Sequence, residues 1–263
     1  MAAALLAPME TARTGMDAAA GAHPGAPAPL TDVLYLQEPG DTSPISVDDL
    51  HQGNIGDCFL ISSIGELALN DPSAISNMIH VNSNGTETVT LYEASNGRLP
   101  NLGTTQFKPV QVTVTNTFPS YSVNSGAGQD VVGNEKEIWP QVLEKAYATL
   151  NGGYGAIANG GYSVIALEEL TGQPATSVSA ASLSLSQLQA YVSAGDLIVM
   201  GTFNRSNLPD NLVGDHAHMF EGITMSGSTP MVRLGNPWGY DQPAAIPLSQ
   251  LAQGIQEVDI ARA

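Results

Sequence analysis

The single cysteine of the chain, Cys58, lies in HQGNIGDCFLISSIGELALN (51–70), between an aspartate and an apolar run. A thiol attacks as its thiolate, and a free cysteine is only a few per cent ionised at neutral pH. Cys58 stands at the first helical position after a candidate N-cap, Asp57, where free backbone N–H groups and the helix dipole favour an anion. An imidazole partner would complete such a nucleophile, and the chain has five histidines. His23 lies near the N-terminus, and His51 and His80 flank the cysteine segment. His216 and His218 in DHAH are different: on a strand they share a face, with Ala217 pointing away. That spacing suits two metal ligands, but no third His or Cys is near, so one base with one bystander fits better. Asp215 reads as a surface or turn residue. In GNPWG (235–239), Asn236 is held extended by the proline after it, and its carboxamide can orient an imidazole through Nδ1–H. Trp238 offers an apolar shield for that bond. Each piece also has a structural reading: a buried small hydrophobe, a satisfied core histidine, a turn with a packed tryptophan.

The elements that must hold these residues can be read from periodicity. Leu60, Ile61, Ile64, Leu67 and Ala68 form one apolar helix face, ended by NDP (70–72). A second helix starts near Trp139 with Pro140 in its first turn, carries Leu143, Ala146, Tyr147 and Leu150, and stops at NGG (151–153). TETVTLYE and KPVQVTVTN alternate as half-buried strands between them. Farther on, SLSQLQAYVSAG is a short helix, and DLIVMGTF, HAHMFEGITM, PMVRLGN and IQEVDIA read as strands. A helical part followed by a β-rich part makes an α+β protein. Residues 1–30, rich in Ala, Gly and Pro, read as a flexible leader.

Composition narrows the partners. Eight Lys and Arg against 25 Asp and Glu give a net charge of −17. Such a surface repels nucleic-acid phosphates and anionic membranes and suits divalent cations or basic polypeptides. One cysteine excludes an internal disulfide and a cysteine-rich zinc site. No apolar run approaches a membrane span, and the N-terminus lacks the basic and apolar regions of a secretory signal. Charged residues make up only 13% of the chain, about half the usual share. That composition points to export by a signal-free route, with the cytoplasm as the alternative.

Taken together, these segments resemble the calpain family of cysteine proteases. QGNIGDCF (52–59) is similar to the family's QGxxGDCW around its nucleophile, and EIWPQVLEKAYATLNGGY (137–154) is similar to its W-x-x-x-L-E-K-A-Y helix. HAHMFEGI resembles its H-A-Y strand and GNPWG its N-P-W-G turn, all four in the family's order over about residues 40–240. The resemblance, to a short prokaryotic-type member, implies a papain-like two-lobed fold over 31–263. A helical lobe (31–177) would carry the cysteine, and a β-rich lobe (178–263) the histidine and asparagine. It implies Cys58 as nucleophile, His216 as base and acid, Asn236 as orienting residue, and Gln52 with the Cys58 N–H as oxyanion donors. Trp238, Gly56 and Asp57 fall at shielding and substrate-side positions. It further implies a possible calcium site at Asp49 and Glu137, although both acids could equally cap helices. No EF-hand loop and no organic cofactor motif is present.

This chain departs from the family pattern at Phe59, in place of the tryptophan after the cysteine. His218 replaces the tyrosine of H-A-Y, and Asp215 the glycine before it. The expectation is a monomeric cysteine endopeptidase acting on polypeptides. A thiol-dependent acyl transferase or deamidase, and a silent calpain-like binding module, are the alternatives.

Overall fold

A computed structural model describes residues 30–95, 106–125 and 130–263. The leader expected over 1–30 therefore lies, but for Leu30, outside the described residues. In chain order the strands and α-helices are β1 (Thr31–Val33), α1 (Cys58–Asn70), α2 (Pro72–Met78), β2 (Ile79–Val81), β3 (Thr86–Ala94), β4 (Phe107–Thr115), β5 (Val131–Val132) and β6 (Glu135–Glu137). Then come α3 (Trp139–Leu150), α4 (Tyr154–Ile157), α5 (Ser163–Thr171), β7 (Ala175–Ser179), α6 (Leu185–Ala194) and β8 (Asp196–Thr202). The chain closes with β9 (Ala217–Ser226), β10 (Thr229–Gly235), β11 (Ile246–Pro247) and β12 (Ile255–Arg262). Among the described residues no helix is long and apolar enough to cross a membrane.

These elements form two lobes. The first holds α1 to α5 with the antiparallel sheet β2-β3-β4 and the small sheet β1-β6-β5. The second is a six-stranded antiparallel sheet in the order β11-β10-β9-β8-β12-β7, with α6 packed on β8. β7 pairs with β12, so the division at 177/178 falls within a strand of this sheet. One hydrophobic core fills the first lobe and takes in Leu197, Val199, Ala217 and Ala261 from the sheet face turned toward it. A second core, with Ile198, Met200, Phe220, Val258 and Ile260, lies on the opposite face. Alternation along β8 and β12 thus feeds two cores at once. This is an α+β, papain-like architecture.

α1 joins the lobes. The apolar face expected at Leu60, Ile61, Ile64, Leu67 and Ala68 is buried, but so are Ser62, Ser63 and Glu66 on its other side. The helix is enclosed because it packs on α5 in its own lobe and on β8 and β9 of the other. Its polar groups find partners accordingly. Ser62 Oγ donates to Ala217 O at 3.0 Å, and Ser63 Oγ to Phe59 O at 2.7 Å. The Glu66 carboxyl accepts the Ile198 N–H at 2.9 Å and the Phe220 N–H, which pins α1 to two strands of the sheet. Burial pushes Glu66 up to about 8, while the two backbone N–H groups work against that rise.

Candidate active site

The cleft between the lobes, about 630 Å³ in volume, is where the chemistry-bearing residues meet. Cys58, Gln52 and Gly56 line its first-lobe wall, and His216, Ala217 and Trp238 its second-lobe wall. The cysteine loop reaches this position by running flat against neighbouring backbone. Gly56 N–H donates to Ala158 O, and Gly160 N–H donates back to Gly56 O, both at 2.8 Å. A side chain at Gly56 would meet the Ala158 carbonyl at 2.9 Å, and one at Gly53 would collide with the Tyr121 carbonyl. Gly53 and Gly56 thus allow the loop its close approach to this backbone.

Cys58 opens α1 and is half-buried. Asp57 occupies the N-cap position, but its side chain makes no capping hydrogen bond, contrary to the expectation. Its carboxylate is instead fully buried beside Glu144. The first N–H groups of α1 therefore receive no side-chain cap from Asp57. Burial raises the Cys58 thiol above its ordinary value. Backbone hydrogen bonding from Ala217 and Phe59 opposes the rise, while the Asp57 and Asp215 charges add to it.

Across the cleft, His216 precedes β9. Its backbone N–H donates to Thr202 Oγ1 at 3.0 Å, and Thr202 Oγ1 in turn donates to Val213 O at 2.7 Å. His216 Nε2 lies 3.0 Å from Asn236 Oδ1. The Asn236 carboxamide is fixed in that sense, since its Nδ2 donates to Asp241 O at 3.2 Å and its Oδ1 also accepts the Trp238 N–H at 3.1 Å. Nε2 therefore carries the imidazole proton and Nδ1 the free lone pair. The sequence reading had the orienting bond at Nδ1–H; the ring enters Asn236 by its other nitrogen, because β9 presents the Nε2 edge to the turn after β10. Trp238 is half-buried, with its ring 4.8 Å from that of His216. Burial lowers His216, and the Asn236 bond holds it partly up. Burial thus disfavours the charged form of both groups.

His218 lies under His216, its ring 4.9 Å away and nearly perpendicular. It is fully buried, neither ring nitrogen has a partner, and burial pushes it down to about 3. It packs beneath the site, and no group of three possible metal ligands among the described residues includes it. Asp215 is exposed on the cleft rim, in a left-handed turn with φ 56°. Gln52 is anchored twice: its backbone N–H donates to Pro237 O across the lobes and its side-chain Nε2 to Ile55 O, each at 2.8 Å.

A second cluster lies in the first lobe, off the cleft lining. Asp49 and Glu137 are brought together as the spacing suggested, and Asp130 joins them. One carboxylate oxygen from each lies within 4.8 Å of the others. Ligands held about 2.4 Å from one calcium ion can be no farther apart than that. The acids are not idle in the fold. Asp49 completes a capping box with Ser46 and accepts the Trp139 indole N–H at 3.1 Å, and Glu137 accepts the Leu36 N–H at 2.6 Å. Yet Glu137 Oε2 and Asp130 Oδ2 are buried with no partner. Burial, with the Asp130 charge beside it, pushes Asp49 up to about 6. Burial and the charges of Glu38, Asp41 and Asp48 push Asp130 up to about 6. Burial and the charges of Asp49, Asp130 and Glu38 push Glu137 up to about 9. Sequence reasoning missed Asp130, whose only signal is an acid close before Glu137. It also missed Asn124, which accepts the His51 N–H and donates to Asp49 O, linking this cluster to the loop bearing Gln52.

A half-buried thiol on one lobe, facing a histidine held by asparagine on the other, defines a papain-like cysteine-protease arrangement. A family profile described as "Calpain family cysteine protease" matches residues 40–245. Among curated proteins the chain is similar to calpain-13 of Rattus norvegicus (29% identical over 203 residues, 73% of this chain and 29% of that protein). It is also similar to calpain-9 of Homo sapiens (26% identical, 73% of this chain and 28% of that protein). A third relative is the calpain-type cysteine protease DEK1 of Zea mays (28% identical, 74% and 9%). The chain thus spans under a third of the length of these relatives. It belongs to the calpain family of cysteine proteases.

Proposed function

We propose that the protein is a cysteine endopeptidase working through Cys58, His216 and Asn236. The observation that carries this is the His216–Asn236 bond, with its proton fixed on Nε2, in the same cleft as the only thiol. His216 Nδ1 is then the base. The Cys58 thiol gives its proton to Nδ1, and the sulfur attacks a peptide carbonyl. The carbonyl oxygen takes negative charge and accepts hydrogen bonds from the Cys58 N–H and the Gln52 side chain. One N–H of Gln52 Nε2 is held by Ile55 O, which fixes where the other points. Such a donor is worth about 3–4 kcal/mol in the transition state. The intermediate collapses by breaking the C–N bond, with His216 protonating the leaving amine, and a thioester remains. Water, deprotonated by His216, attacks the thioester and releases the carboxylic acid and the thiol. Trp238 keeps bulk water from the His216–Asn236 bond, and Gly56 leaves the cleft floor open.

Calcium is the cation the family resemblance implies, and the acidic cluster fits it: hard oxygen donors, suitable spacing and unpartnered buried oxygens. Asp49, Asp130 and Glu137 would hold it. When bound it would supply positive charge that relieves their repulsion and firms the turn three residues before Gln52.

The test is a mass-spectrometric time course on an unfolded polypeptide with wild type and C58A, in millimolar calcium and in chelator. Backbone cleavage by wild type and not by C58A is expected, and equal cleavage by C58A would overturn the reading. Side chains altered on an intact backbone would point to acyl transfer or deamidation, and inertness throughout to a binding module.

A further inference from the structure

A second cavity, about 510 Å³ in volume, lies in the first lobe and shares no lining residue with the cleft or with the acidic cluster. It forms where the chain leaving β4 passes β6, which contributes Lys136, and the first turn of α3, which contributes Gln141. The passing chain is held by its own contacts. Lys145 Nζ, one turn along α3 from Gln141, donates to the Thr115 and Thr117 carbonyls at 2.8 and 2.7 Å. The Ser122 N–H and hydroxyl both donate to Pro119 O, at 3.1 and 2.9 Å. A cavity braced in this way needs little ordering when a ligand enters. Its volume is that of a small-molecule site, roughly 300–1,000 Å³.

Two of its lining residues carry buried amide oxygens with no hydrogen-bond partner among the described residues, Asn116 Oδ1 and Gln141 Oε1. Gln141 is only 3% exposed, and a buried acceptor left without a donor destabilises the fold that holds it. The other end of each amide is engaged. Gln141 Nε2 donates to Ser122 Oγ at 3.3 Å, whose own proton goes to Pro119 O. The Asn116 side chain hydrogen-bonds the Glu87 carboxylate, and a carboxylate accepts. Asn116 therefore gives its N–H side to Glu87 and keeps Oδ1 for the cavity. Turning either amide over would forfeit the bond it already makes. The charges nearby are balanced: Lys136 pairs with Asp32 at 3.0 Å, and Lys145 faces Glu87.

We propose that this cavity binds a small neutral polyhydroxy compound of the size of a monosaccharide. Only a donor satisfies the two amide oxygens, so a carboxylate or phosphate gains nothing from them. A cation would sit beside Lys136, and the two carboxylates nearby already face lysines. A hydroxyl group meets both demands: it gives its proton to an amide oxygen and accepts from the Lys136 ammonium or a serine hydroxyl of the lining. Phe118 and Pro119 supply an apolar wall for the C–H face of a sugar ring. The site stands apart from the peptidase reading, because it uses none of the residues placed in that chemistry.

The full chain carrying C58A, which guards against self-cleavage, is titrated with glucose, galactose, mannose and N-acetylglucosamine, and separately with methylammonium and inorganic phosphate. Binding is read by saturation-transfer NMR and calorimetry. At least one sugar should bind, and neither ion should compete with it. Gln141→Met keeps the shape of the side chain and removes its acceptor, and should weaken that sugar about tenfold. Ser120→Trp adds bulk to the lining from an exposed position, so it spares the fold and should abolish binding. Absence of binding by every sugar, as when ordered water alone satisfies the two oxygens, overturns the proposal. So does sugar binding that both substitutions leave unchanged, and competition by either ion would replace the polyol with a charged ligand and overturn the assigned class.

Discussion

The first lobe buries two groups of carboxyls, and they are built in opposite ways. Behind Cys58, Asp57 and Glu144 are both fully buried. Glu144 accepts the Val123 N–H at 2.8 Å and the Tyr154 O–H at 2.9 Å. Burial raises both acids, and the Asp57 charge raises Glu144 further, so Glu144 keeps its proton and Asp57 carries the charge. Asp49, Asp130 and Glu137 also repel one another, but two of their buried oxygens have no donor. The first group is closed by a shared proton, although Asp57 Oδ1 and Oδ2 have no hydrogen-bond donor besides; the second is three acids with converging oxygens, left open on the side a cation would fill. Burial of acids alone does not mark a metal site. The number of acids and the convergence of their oxygens separate the two cases.

The largest effect should come from breaking the closed pair. Glu144→Ala removes the proton donor and leaves Asp57 buried without compensation, and breaking a buried pair in this way costs about 3–5 kcal/mol. Glu144→Gln can still donate to Asp57 and accept from Val123, so it should lose about 1 kcal/mol or less. Urea denaturation of the two variants compares them. Equal losses would mean that volume, not the shared proton, holds the pair.

The open group should respond to calcium instead. Without a cation, Asp49 and Asp130 at about 6 and Glu137 at about 9 lie above their unfolded values. Stability from their retained protons is complete below about pH 4 and is lost as pH rises through 6 and then 9. Calcium replaces those protons, so its stabilisation should grow with pH across that window. At a hundred times its Kd a ligand adds about 2.7 kcal/mol, or roughly 5–10 °C in Tm for a domain of this size. Thermal melts at pH 5.5 and 8.5, with calcium or chelator, should show the larger shift at 8.5. Asp130→Asn should lose that shift and melt higher than wild type in chelator. A calcium shift that is equal at both pH values, or that survives the substitution, would place the cation elsewhere.

Much of this was legible because it is local. The helix at 58–70, its NDP stop, the proline-led helix at 139 and the strands from 196 onward follow from periodicity and caps within a few residues. Residue chemistry brought Cys58, His216, Asn236 and Trp238 to attention before any geometry did, the family motifs gave them roles, and the resemblance added Asp49 with Glu137. What escaped depends on tertiary partners. Asp57 looks like a cap in sequence, but Glu144, 87 residues on, offers it a buried partner instead. The register shift in β12 that turns Glu257 to the cleft leaves no mark in IQEVDIA, because it is set by pairing with β8. α5 and β7 were not anticipated, since SVIALEELT and ATSVS carry weaker periodic signals than the interface they fill.

The finest distinction between the two carboxyl groups lies in the Tyr154 hydroxyl, which donates to Glu144 from the turn of helix beside the cleft loop. The ring packs edge-on to Tyr121, 5.6 Å away, so Tyr154→Phe removes the donor and leaves the packing. One neutral hydrogen bond of this kind is worth about 1 kcal/mol. If Glu144 is the protonated partner, it loses one acceptor contact and still holds its proton toward Asp57, so the loss should stay near that value from pH 6 to 8. If Glu144 were the charged partner, a charge-assisted bond would be lost, worth about 1.5–3 kcal/mol. Denaturation of Tyr154→Phe at those two pH values therefore reads which of the two buried acids carries the proton.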